Sequence, residues 1–72
     1  NKMVNIKYKI VWIIDDQEYE VNDMVNIQTT YINEYIGRIS EINESYIDLD
    51  ISNNYNSNII RLSSCDILHI TK

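Results

Sequence analysis

The 72-residue sequence predicts an all-β protein, and three observations carry that expectation. Fifteen isoleucines, four valines and six tyrosines supply most of the apolar content, while Ala, Pro and Phe are absent. β-Branched side chains lose χ1 freedom against a helical turn but pack well on a pleated surface, and the best helix former is missing altogether. The second observation is alternation, cleanest where Ile47, Leu49 and Ile51 interleave with Asp48, Asp50 and Ser52. The third is punctuation, since Asn, Asp, Ser and Gly separate short apolar runs of strand length.

The first element is a strand over Val4 to Ile14, with Val4, Ile6, Tyr8, Ile10, Trp12 and Ile14 on one face and Asn5, Lys7 and Lys9 on the other. Val11 and Ile13 break the pattern, so the second half of this strand is expected to be covered on both faces. Fully extended it would reach roughly 36 Å, about twice a common strand, which implies a bend or a protrusion. Asp15, Asp16 and Gln17 turn the chain, and Glu18 to Val21 return, giving an N-terminal hairpin over residues 1–21. Asn22 and Asp23 precede a strand at Met24 to Thr29, and a loop over Thr30 to Tyr35 leads to Gly37. A glycine inside a strand pattern marks a bend or a close backbone approach. The three-residue spacing of Ile39 and Ile42 predicts a bulge near Ser40 and Glu41 within the strand Ile36 to Ile42. After a turn at Asn43, Glu44 and Ser45 come the strand Tyr46 to Ser52, an Asn-rich loop, and a strand at Asn58 to Leu62. Ser63 or Ser64 caps one helical turn before the closing strand Ile67 to Ile70.

That order resembles the five-stranded SH3-like barrel. The stretch GRISEINESYIDLD, Gly37 to Asp50, is similar to the central hairpin of small SH3-like and Sm-like barrels, and CDILHI, Cys65 to Ile70, resembles their final strand. The resemblance implies one domain, 1–72, in which 22–72 form the barrel and the N-terminal hairpin is an addition. It implies a non-catalytic module of the kind found in small bacterial and mobile-element proteins. The ALYDY-like aromatic run of peptide-binding SH3 domains is absent from the sequence, so the resemblance does not extend to proline-rich ligands.

Charge narrows the function classes. Six Lys and Arg against eleven Asp and Glu leave a net charge of −5, which repels phosphate at long range and argues against nucleic acid and anionic membranes. The longest apolar run, Ile10 to Ile14, is far below the roughly 20 residues that span a bilayer, and the chain reads as cytoplasmic. One cysteine precludes an internal disulfide, and one Cys with one His falls short of a structural zinc site, so no cofactor or metal is expected.

Several clusters could carry chemistry. Cys65, Asp66 and His69 suggest half a metal site or a nucleophile pair, but a thiolate enzyme needs a third orienting group and a pocket, so packing and capping explain them better and no enzyme is expected. Asp48 and Asp50 share a strand face, where such pairs usually meet solvent, and Arg38 or Arg61 is placed to pair with them across strands. Lys2, Lys7 and Lys9 with Tyr8 and Trp12 form the one basic and aromatic cluster, and support the alternative reading of a nucleic-acid-associated regulator. The preferred reading is a protein-interaction or assembly module. Its candidate contacts are Val11, Trp12 and Ile13, which would pair with a second copy or another protein, and Tyr31 and Tyr35 in an exposed loop.

Overall fold

A computed structural model describes residues 2–72. The described residues form seven strands and one 3-10 turn: β1 (Trp12–Ile14), β2 (Gln17–Tyr19), β3 (Met24–Thr29), β4 (Glu34–Ile42), β5 (Tyr46–Asp50), β6 (Ile59–Ser63), the turn Ser64–Asp66, and β7 (Ile67–Thr71). β1 and β2 make a two-stranded sheet, and the others make an antiparallel sheet in the order β6-β5-β4-β3-β7.

The long strand β4 organises the larger sheet. Its first half, Glu34 to Arg38, pairs with β3, and its second half, Arg38 to Ile42, pairs with β5. The changeover coincides with Gly37, where a Cβ would collide with the Asp50 carbonyl oxygen and lie 3.0 Å from Ile51 Cγ2. The sequence marks Gly37 for this close approach, and its φ is negative, so space rather than backbone freedom selects glycine. The register then shifts between Ile39 and Glu41, where the spacing of Ile39 and Ile42 predicts a bulge. Bend and bulge fold the sheet around one core, which gathers Val25, Ile27 and Ile70 from the β3–β7 half and Ile47, Leu49 and Leu62 from the β5–β6 half.

Among the described residues no ladder joins β6 to β7, so the expected closed barrel is not formed. The 3-10 turn occupies the place between those two strands. Ser63 is its N-cap, accepting from the Cys65 N–H at 3.3 Å, and Ser64 N–H donates to the Ser45 carbonyl at 2.8 Å. The Asp66 carbonyl accepts from Thr30 N–H at 2.9 Å, so the turn ties the tips of two hairpins together. Those bonds satisfy backbone groups that a direct β6–β7 ladder would otherwise use.

The N-terminal region departs most from expectation. The hairpin exists, but its first strand starts at Trp12 rather than Val4, and residues 2–11 lie outside any strand. Asp15 and Asp16 form its two-residue loop with φ of 50° and 66°, the left-handed pair of a type I′ turn. Trp12 and Tyr19 face each other across the hairpin and anchor it to the body. Trp12 Nε1 donates to the Asn43 carbonyl at 2.7 Å, and the buried Tyr19 hydroxyl donates to the Ile70 carbonyl at 3.2 Å. The turn after β2 adds two backbone bonds, Asn22 N–H to the Ile39 carbonyl and Ile39 N–H to the Asp23 carbonyl.

Candidate interaction surface

Among the described residues β1 is hydrogen-bonded on one side only, to β2, and β7 on one side only, to β3. Both strands line one groove of about 480 Å³, walled by Val11 to Asp15 along the hairpin and Ile67 to Ile70 along β7. Glu44 and Ser64 complete its lining. An edge strand presents free N–H and C=O groups to any extended chain, and here two edge strands line the same groove. Apolar side chains surround them: Ile13 is 64% exposed and Leu68 68%.

The surface continues past β7. Leu68 also lines a second groove of about 300 Å³ with Thr29, Ile32 and Asn33 of the β3–β4 turn. Ile32 stands at the tip, 96% exposed, with φ of 70°. A β-branched residue in the left-handed region is strained and persists only where its surroundings impose the conformation. Thr29 imposes it, since its Oγ1 accepts from Asn33 N–H at 3.1 Å while its own N–H donates to the Asn33 carbonyl at 2.8 Å. The chain thus holds a fully apolar side chain out into water at the border of the groove.

The candidates named from sequence divide accordingly. Val11, Trp12 and Ile13 all line the first groove, with Trp12 and Val11 half-buried and Ile13 projecting. Tyr31 is exposed on the same turn as Ile32. Tyr35 is misplaced by the sequence reading: it belongs to β4, opposite Ile27, and packs half-buried against the core, with its hydroxyl accepting from Asn33 Nδ2 at 3.3 Å. Ile32 and Leu68 escaped the sequence reading. Both isoleucine and leucine there match a core vocabulary, and only the turn geometry and the edge position expose them.

The acidic cluster has another role. Asp48 faces Arg61 directly across β5 and β6, and Arg61 clasps it with two bonds, Nε to Oδ1 at 2.8 Å and Nη2 to Oδ2 at 3.0 Å. The guanidinium lies 3.8 Å above the Tyr46 ring. Asp48 is therefore buried, contrary to the solvated face expected from its spacing with Asp50. Hydrogen bonding from Arg61 holds its carboxyl below the usual aspartate range, against the weaker upward pull of burial. Arg38 stands opposite Asp50 but gives its Nη1 to the Asn22 carbonyl at 2.8 Å. Both arginines thus serve the fold.

Cys65 is exposed rather than packed, and His69 is exposed on β7. Among the described residues no three His, Cys, Asp or Glu side chains converge as metal ligands, and no helix is long and apolar enough to cross a membrane. Comparison with protein-family models, with curated proteins and with solved structures finds no match.

Proposed function

We propose that this chain is a non-catalytic protein-interaction module that captures an extended segment in the groove between β1 and β7. One observation carries the reading: two edge strands of different sheets, β1 and β7, line a single groove rimmed by exposed Ile13 and Leu68. A strand laid there would gain main-chain hydrogen bonds from either wall and bury apolar side chains on the floor, the two components of β-strand addition. The SH3-like architecture is part of the same proposal. It is supported by a four-strand meander, β3 to β6, followed by a 3-10 turn and a fifth strand, β7, that returns beside β3, although the sheet stays open.

The alternative of a nucleic-acid regulator draws on Lys2, Lys7 and Lys9, but Lys9 is engaged with Glu20 at 2.7 Å, which leaves fewer free cations for phosphate. Selection of peptides from a random display library tests the proposal. Enriched peptides should be extended and apolar, and should lose binding to the Ile13→Lys and Leu68→Lys variants. Enrichment indifferent to both variants, or binding of single-stranded oligonucleotides that falls steeply with salt, overturns it.

A further inference from the structure

The segment 2–11 has the pattern of a strand and none of its bonds. Val4, Ile6, Tyr8 and Ile10 share one face by alternation, yet Val4 is 79% exposed, Ile6 71% and Tyr8 92%. The molecule is elongated, 54 Å along its longest axis. Its radius of gyration of 14.2 Å exceeds the roughly 11 Å of a compact chain this long. Four apolar side chains placed in register along an unpaired segment are the complement of an unpaired groove.

The segment cannot fill its own groove. It runs without a turn straight into β1, which is one wall of that groove, and lying back beside β1 would need a reversal that residues 2–11 do not contain. A second copy meets no such obstacle. We infer that residues 3–10 of one copy lie as an added strand in the β1/β7 groove of another, joining the two-stranded and five-stranded sheets across it. The inference rests on the groove being a strand-binding site, as proposed above.

Charge supports this occupant over an unrelated apolar segment. Residues 1–14 carry three lysines and no acid, a charge of +3, while residues 15–72 carry the other three cations and all eleven acids, a charge of −8. The groove lining includes Asp15 and Glu44. With Ile6 and Tyr8 turned into the groove, Lys7 falls on the opposite face of the strand, toward solvent and the acidic rim, while Lys9 stays paired with Glu20 of its own chain. Like charges keep the bodies apart except where a basic segment bridges them, which favours exchange of segments over association of bare surfaces. Reciprocal exchange places two such contacts in a two-fold dimer.

Complementation between two variants of the full chain tests this. In one, Ile6→Ser with Tyr8→Ser removes the apolar face of the segment and leaves the groove intact. In the other, Leu68→Lys alters the groove at an exposed position and leaves the segment intact. Sedimentation should show a dimer for the parent and about tenfold or greater weakening for each variant alone, the loss expected when an interface anchor is removed. Mixing the two variants should restore a heterodimer through the one remaining pair of intact surfaces. Circular dichroism matching the parent confirms that both fold. A monomeric parent at high micromolar concentration overturns the inference, as does a dimer that survives Leu68→Lys, which would mean that segments pair with each other. If library peptides still occupy the groove of a monomeric chain, the interaction module stands and its occupant is another protein.

Discussion

At the scale of single residues, two positions show why side-chain chemistry alone does not give a residue its role. Gly37 sits in the middle of β4, where the sequence marks a bend or close approach, because the Asp50 backbone passes where its Cβ would be. Gly37→Ala should therefore destabilise by about 1–3 kcal/mol, the usual cost of overpacking, read as a lower urea midpoint at unchanged slope. An unchanged midpoint would mean that β5 can step aside. Asp48 is legible as one of an alternating pair with Arg38 or Arg61 as its cross-strand partner, but which arginine takes it is not legible. Period two sets the face, while the cross-strand neighbour depends on register, which the sequence fixes only weakly across an eight-residue loop. Arg61→Ala should raise the Asp48 carboxyl toward its ordinary value of 3.8, seen in a carboxylate NMR titration. Arg61→Lys should recover only part of the difference, because an ammonium cannot reproduce the two-pronged grip. An Asp48 titration that ignores both substitutions would show that other groups hold it down.

At the scale of elements, legibility follows the number of partners. β3 and β5 fall where alternation places them, since each lies between two strands and one of its faces meets the core. The segment before Trp12 has equally good alternation and forms no strand, because alternation describes which way side chains point and pairing requires a second chain of backbone groups. Tyr35 shows the opposite case: the expected strand starts at Ile36, two residues late, while Glu34 already pairs with Gln28. The β1–β2 turn was placed correctly but one residue too long. Its two aspartates both occupy the left-handed region, which aspartate tolerates and glycine prefers. Asp16→Gly should stabilise the hairpin by about 0.5–1 kcal/mol, raising the thermal midpoint, provided the groove wall it supports is formed in solution. A lower midpoint would indicate a different turn. Trp12→Phe keeps the ring against the core but removes the donor to Asn43, and should cost about 1 kcal/mol.

At the scale of the whole molecule, the charges set how stability varies with pH, and two opposing effects do so in different ranges. The net charge of −5 at neutrality shrinks as pH falls toward the pI near 4.5, which relieves repulsion in the folded body and slightly favours it. Below that range the carboxylates that the fold engages take over. Asp48 is held low chiefly by Arg61, Asp23 by the Glu20 N–H and Lys72, and Asp50 by Ser52. A group whose folded pKa lies below its unfolded value contributes stability that is complete above the unfolded value. That contribution disappears as pH falls through 3.8 toward the folded value. Denaturant midpoints should therefore rise gently from neutrality to about pH 5 and fall steeply below about pH 4. Added salt should flatten the gentle rise, since it screens exposed like charges, and should leave much of the steep limb, to which the buried Asp48 carboxyl contributes. Asp48→Asn should be less stable than the parent at neutrality and lose less on acidification, because the amide keeps neither the ion pair nor the titration. A midpoint that is flat down to pH 3, or an acid limb as steep in Asp48→Asn as in the parent, would show that the Asp48–Arg61 clasp does not hold β5 to β6 in solution.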